Sequence, residues 1–235
     1  MKRIVKKLFN NIGFDITHLS DNPKYTLLGL RHLPICSVID VGANEGQFAR
    51  MISEVFPKAN IYCFEPLLDP FKKLSKWAEF QSGRVNVSNI AIGDSEGDMQ
   101  MFYHSEHSPS SSLLKSTEIC KELYPFIQKQ TPISVKLATL DKLMGNLSEP
   151  PIPDILIKLD VQGYEDRVIR GGAETFRRAR ACILEVNIGS LYENQASFKD
   201  ILLSLDYLGY HYTGNIEQTY DNDGHVVFID ALFLK

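Results

Sequence analysis

From about residue 34 onward, short apolar runs alternate with segments whose apolar positions recur every three or four residues. Ser37–Val41 is apolar enough to be buried on both faces. Phe48, Met51, Ile52, Val55 and Phe56 then mark one face of a helix that stops before Pro57. The alternation continues with a strand over 61–64, a helix carrying Phe71, Leu74 and Trp77, a third strand over 85–92, and another over 99–103 beyond the turn 93–97. Residues 105–116 are serine-rich, hold His107 and Pro109, and read as loop. A strand over 133–139 precedes Pro150, Pro151 and Pro153. The sheet resumes at 154–159, followed by a helix over 165–170 that ends at Gly171 and Gly172. A strand over 181–186, a helix outlined by Phe198, Ile201, Leu202, Leu205 and Leu208, and two strands over 210–213 and 226–234 complete the pattern. Strands alternating with helices predict an α/β fold, a parallel sheet covered on both faces.

The first 35 residues stand outside this pattern, so the expected division is a helical appendage, 1–35, and one domain, 36–235. Within the appendage Ile4, Val5, Leu8 and Phe9 fall at helical spacing among Lys2, Arg3, Lys6 and Lys7. Such a helix either packs on the domain with its lysines solvated or makes peripheral contact with an anionic membrane surface. No stretch approaches the roughly 18 apolar residues of a membrane span. A chain of 235 residues buries enough surface to need no covalent staples. Cys36, Cys63, Cys120 and Cys182 lie far apart with no Cys-x-x-Cys pair, as expected of free thiols in a reducing cytoplasm. The net charge of -4 supplies no basic field for a phosphate backbone, so nucleic acid is not the expected partner.

Chemistry concentrates in Asp40-x-Gly42-x-x-x-Gly46, set between the first strand and its helix, with Glu65 closing the next strand 19 positions after Gly46. In an open parallel sheet that junction is the ligand crevice. Glycines let backbone approach a ligand, the helix start leaves free N–H groups, and a carboxylate after the second strand can accept both ribose hydroxyls. The implied ligand is an adenosine-type cofactor. Three residues separate the glycines, where a pyrophosphate loop has one, which disfavours an NAD(P)-dependent oxidoreductase. The spacing better suits a ligand whose ammonium and carboxylate are met by Asp40 and loop backbone.

These residues, together with Phe64-Glu65-Pro66, Asn89-Ile90-Ala91-Ile92-Gly93-Asp94, Ser110-Ser111-Ser112-Leu113, Thr139-Leu140-Asp141, the run 157–165 and Leu184-Glu185-Val186, resemble the FkbM family of class I S-adenosylmethionine-dependent methyltransferases. The resemblance implies a doubly wound, Rossmann-like, seven-stranded and mostly parallel sheet with its last strand antiparallel. It also implies S-adenosyl-L-methionine as cofactor, and methyl transfer to a hydroxyl of a sugar, glycolipid or polyketide-like small molecule. Gly42, Asn44 and Gly46 would line the methionine tail, Glu65 would hold the ribose, Asn89 and Ile90 would meet the adenine, and Asp160 would lie beside the transferable methyl. One departure is Gln162, where the family's motif usually carries glutamate. A non-catalytic cofactor-binding protein is the reading that this departure favours.

Candidate catalytic residues are Asp160, Glu185, His107 and Lys158, with Glu165 and His104 as further titratable groups. Asp160 and Glu185 end neighbouring strands, a placement that also suits a hard ion such as Mg²⁺. Lys158 lies one pleat before Asp160 and faces the same side. The chain beyond Asp160 lacks the proline-rich run of nucleobase amino-methyltransferases.

Overall fold

The computed structural model describes residues 2–147 and 151–235, with side chains from Val5 onward. Pro150 and the side chain of Ile4 lie outside the described residues. In chain order the elements are α1 (Lys2–Asn10), α2 (Pro23–Thr26), β1 (Ser37–Val41), α3 (Gln47–Val55), β2 (Asn60–Phe64), α4 (Leu68–Ala78), β3 (Val85–Ser88), β4 (Ala91–Gly93) and β5 (Gly97–Tyr103). There follow α5 (Glu118–Leu123), β6 (Thr131–Thr139), α6 (Leu140–Gly145), β7 (Ile155–Leu159), α7 (Glu165–Gly171), α8 (Ala173–Arg178), β8 (Ala181–Asn187), α9 (Phe198–Tyr207), β9 (His211–Tyr220) and β10 (Val226–Leu234).

Seven strands form the main sheet in the order β3-β2-β1-β7-β8-β10-β9. β1 is parallel to both β2 and β7, whereas β10 runs antiparallel to β8 and β9. β1 and β7 are buried along their whole length, as strands covered on both faces must be. One apolar cluster, with Ile39, Ile157 and Phe176, lies on one face; a second, with Val38, Ile52, Ile61 and Leu156, lies on the other. After β1 the chain moves outward to β2 and β3, then returns to place β7 on the opposite flank of β1. The crevice at the ends of β1 and β7 is therefore the switch point of the sheet.

Three differences from the sequence pattern have physical causes. The expected strand over 85–92 breaks at Asn89 and Ile90. Ser88 accepts the Ile90 N–H at 3.1 Å in a tight turn, after which β4 joins β6 and β5 in a separate three-stranded sheet. The expected strand over 210–213 runs on to Tyr220, because its pairing partner β10 stabilises the polar stretch 214–220, which apolar pattern alone does not mark. At the N-terminus, Val5, Leu8, Phe9, Ile12 and Phe14 are exposed. Leu27, Leu30 and Ile35, by contrast, are buried in the second core cluster beside Val38 and Ile52.

All four cysteines are free. Among the described residues no helix is long and apolar enough to cross a membrane.

Candidate functional site

The loop after β1 is shaped by backbone geometry that its glycines permit. Gly42 adopts φ +80°, and a Cβ there would sit 1.9 Å from the Asp160 carbonyl oxygen, so only glycine lets the ends of β1 and β7 close on each other. Gly46 caps α3 in the left-handed region, and a Cβ there would meet Leu74 Cδ1 at 2.5 Å. Gly46 faces the helix packing and is absent from the cavity walls described below. Asn44 donates from its backbone to Glu65 Oε2 at 2.8 Å, and its side-chain amide reaches Ser108 Oγ at 3.1 Å.

Glu65 is 3% exposed and also accepts the Leu67 N–H at 2.7 Å. Burial pushes its carboxyl up to about 7 against those two hydrogen bonds. Asn89 donates to the carbonyls of Glu65 and Pro66 at 2.9 and 2.8 Å; its amide braces the Glu65 turn and lies outside the slot that Glu65 faces. Ile90 does line that slot, together with Phe64, Pro66, Leu67, Ile92 and Met101. The chemistry of an apolar slot beside a buried carboxylate suits an adenine ring and a ribose diol. The slot encloses about 70 Å³ with 108–113 packed over it.

A second cavity, about 250 Å³, lies beside it against Asp40, Gly42, Asn44, Gln47 and Lys158. Asp40 is 1% exposed and its Oδ2 has no hydrogen-bond partner. Burial, opposed by the nearby Lys158 ammonium, leaves the Asp40 carboxyl near 7. An unpartnered buried carboxylate oxygen beside the slot suits the ammonium of an amino-acid tail. The groups present, with Glu65 and Asp40 as acceptors, thus fit S-adenosylmethionine.

Beyond Asp160 lies a third cavity, about 290 Å³, with Asp160, Gln162, Glu185, Asn187 and Tyr192 among its lining residues. Gln162 adopts φ +55° and aims its amide N–H groups at Asp160 Oδ1, 2.9 Å away, and at Glu185 Oε1. Its own Oε1 accepts from the Tyr192 hydroxyl at 2.6 Å. An amide can bridge two carboxylates where a third acid would repel them, so glutamine is built into this arrangement. The same bridge makes the Asp160–Glu185 pair a poor fit for Mg²⁺, since N–H donors point between the oxygens a cation would need. Burial first, and then the charge of Asp160, pushes the Glu185 carboxyl well above the usual carboxylate range.

Lys158 is buried, with its ammonium 2.8 Å from Asp230 Oδ1 and 3.8 Å from Asp160 Oδ2. Burial opposes its charge, but Asp160, Asp230 and Glu185 together outweigh that and hold the ammonium above the ordinary lysine range. It stays charged. His107 is exposed, lies with its ring tilted against that of Phe126 at 5.0 Å and lines the third cavity. His104 is buried apart from all three cavities, in contact with Ser116 and Gln130, and burial lowers its pKa. Glu165 is buried and accepts the Val161 and Gly163 N–H groups at 3.2 Å each, which fixes the loop that carries Asp160 and Gln162. Asp141 caps α8 through the Glu174 and Thr175 N–H groups, and Thr139 caps α6; both serve the scaffold.

Asp230 and Asn187 escaped the sequence reading. Asp230 is the lone charge in the apolar run Val226–Leu234, and its register opposite Glu185 delivers it to Lys158.

A switch-point crevice with an acid-and-glycine loop, a buried ribose-height carboxylate and an antiparallel return strand defines the Rossmann-like architecture of class I methyltransferases. The chain matches the FkbM methyltransferase domain over residues 40–212 and belongs to that family. It is 32% identical over 185 residues to 2-O-methyltransferase NoeI of Sinorhizobium fredii, covering 75% of this chain and 73% of the relative. Hexuronic acid methyltransferase AglP of Haloferax volcanii is 27% identical over 150 residues, covering 64% of this chain and 55% of the relative. The solved structure of M. capricolum TrmK in complex with S-adenosyl-homocysteine aligns with a TM-score of 0.47 at 10% identity, over 89% of this chain and 67% of that one. The chain is a methyltransferase, and membership of the family implies S-adenosylmethionine as its methyl donor.

Proposed function

We propose that this methyltransferase acts on oxygen, placing the methyl group on a hydroxyl of a sugar, free or within a glycolipid. The observation that carries this reading is the position of Asp160, which lines the cofactor slot, the Asp40 cavity and the third cavity at once. A carboxylate there can accept a hydrogen bond from an acceptor hydroxyl and take its proton as transfer proceeds. The names of the relatives NoeI and AglP, an O-methyltransferase and a hexuronic acid methyltransferase, support a sugar acceptor.

The cofactor supplies an electrophilic methyl on a sulfonium. Glu65 and the apolar slot around Ile90 hold the adenosine, and Asp40 with the Gly42–Asn44 backbone holds the amino-acid tail. Fixing donor and hydroxyl in line contributes up to about 7–11 kcal/mol, while a positioned base contributes a factor of about 10²–10⁴. Gln162 orients Asp160, and Lys158 sets the charge behind it. Because Gln162 already occupies the donor positions between Asp160 and Glu185, the reaction runs without Mg²⁺, and activity survives EDTA. The free thiols fit a cytoplasmic site of action. The exposed apolar face of α1 with its lysines fits peripheral contact with an anionic membrane, where a glycolipid acceptor would lie.

The test is methyl transfer from labelled S-adenosylmethionine to sugar acceptors by the native enzyme and by Asp160→Asn. The variant should keep its affinity for S-adenosylhomocysteine and lose turnover by about 10² or more. Binding of NAD in place of either sulfur cofactor, or undiminished turnover in the variant, would overturn this assignment.

A further inference from the structure

The third cavity is lined by two chemically distinct sets of side chains. Tyr124, Phe126, Tyr192 and Phe228 present rings, with the His107 ring tilted against Phe126 at 5.0 Å. Asp160, Gln162, Glu185 and Asn187 supply polar groups in which acceptor oxygens predominate, and Phe228 lies beside Asn187 on the neighbouring strand. Asn187 is 5% exposed, and its Oδ1 has no hydrogen-bond partner. A buried amide oxygen without a partner, on a residue that lines the cavity, calls for a donor from outside the protein.

Charge is distributed just as unevenly. The carboxyl groups of Asp160 and Glu185 line the cavity, and among the described residues no lysine or arginine does. The nearest buried cation, Lys158, lines the neighbouring cavity, and its ammonium is committed to Asp230 and Asp160. His107 shares a hydrogen with Ser110 Oγ at 2.8 Å and sits at the exposed rim. A volume of about 290 Å³ lies at the small end of ligand pockets, enough for one ring unit.

We propose that this cavity is the acceptor subsite for a single uncharged sugar ring and that it rejects uronates. The inference rests on the reading of the protein as a sugar O-methyltransferase and narrows its substrate class. Hydroxyl groups donate to Asn187 Oδ1, Glu185 and Asp160, while the C–H face of the ring packs on Phe126 and Tyr124. A uronate would bring a further negative charge beside Asp160, whose neighbouring Lys158 ammonium is already committed to Asp230, and burying an unpaired charge is strongly unfavourable. The preference is thus opposite to the one named for the relative AglP.

The experiment compares p-nitrophenyl hexosides with the matching p-nitrophenyl hexuronides, in gluco, galacto and manno configurations, at saturating S-adenosylmethionine and pH 7.5. The expected kcat/KM favours the neutral member of the preferred pair by about 30-fold or more. Asn187→Leu should raise KM for that acceptor about tenfold, with S-adenosylhomocysteine affinity unchanged by calorimetry. Asn187→Arg should narrow or invert the preference by supplying the missing cation. Equal or greater activity on the uronides overturns the proposal. So does a protein that binds S-adenosylhomocysteine yet neither binds nor methylates any sugar of the panel. Absence of S-adenosylhomocysteine binding would instead overturn the underlying methyltransferase reading.

Discussion

The side-chain amide of Gln162 donates to Asp160 Oδ1 across 2.9 Å. Since the same amide also serves Glu185, it holds together two carboxylates that would otherwise repel. Gln162→Glu is therefore expected to break the bridge and leave one acid protonated or displaced. Losing a hydrogen bond to a charged partner costs about 1.5–3 kcal/mol, so turnover should fall by about 10- to 100-fold. Affinity for S-adenosylhomocysteine should stay within a factor of about three. Steady-state kinetics alongside calorimetry makes the distinction; a variant with native turnover would remove the amide bridge from the mechanism.

Glu65 ties the β1 loop to the turn after β2 by accepting the N–H groups of Asn44 and Leu67. In Glu65→Ala both donors lose their partner at a cost of about 1–3 kcal/mol each. Cofactor affinity should drop by well over tenfold, and the thermal midpoint should fall as well. Glu65→Gln should recover more of the midpoint than of the affinity. A Glu65→Ala protein that binds the cofactor normally would exclude Glu65 from the ribose site.

Asp40, Glu65 and Glu165 are all buried, and desolvation holds each carboxyl near 7 in the folded chain. Unfolded, they titrate near 4. Between about pH 4 and 7 the folded state consequently binds more protons than the unfolded one, and stability falls as pH rises through that window. Each group accounts for up to about 3–4 kcal/mol. Without ligands, the thermal midpoint should be higher at pH 6 than at pH 8, and Asp40→Asn should flatten the slope. A midpoint that rises over this range would contradict the burial of these groups as charged species.

Lys158 and Asp230 are brought together from distant strands at 2.8 Å. Lys158→Met leaves Asp230, Asp160 and Asp40 without their shared cation and should destabilise the fold by about 3 kcal/mol. Adding Asp230→Asn should restore part of the loss, because one of the uncompensated charges is then removed. Urea denaturation of the single and double variants measures the coupling; strictly additive losses would show that the pair does not interact.

Legibility in the sequence follows locality. Asp40, Gly42, Glu65 and Asp160 could be read because each sits at the end of an apolar run whose neighbours in the chain mark it as a buried strand. Glu185 was legible for the same reason. Asp230 was not, since its place depends on the antiparallel pairing of β10 with β8, which no local pattern records. Asn187 ends its strand on the same face as Glu185, but an asparagine at a strand end reads as a turn residue until a cavity is seen beside it. The second sheet was hidden because β4 is three residues long and pairs with a strand more than 40 positions away. Asn89 and Gly46 read as ligand contacts because both lie in the loops that build the slot; Asn89 also braces the Glu65 turn, and Gly46 also packs against Leu74.

Pro109 forms part of the wall of all three cavities. With the roles proposed for these cavities, cofactor and acceptor share one wall, and the two equilibria are coupled wherever one ligand moves it. Thermodynamic linkage then requires reciprocity: whatever factor a bound cofactor adds to acceptor affinity, a bound acceptor returns to the cofactor. The spent cofactor and the methylated product share that wall too, so the departure of one alters the hold on the other.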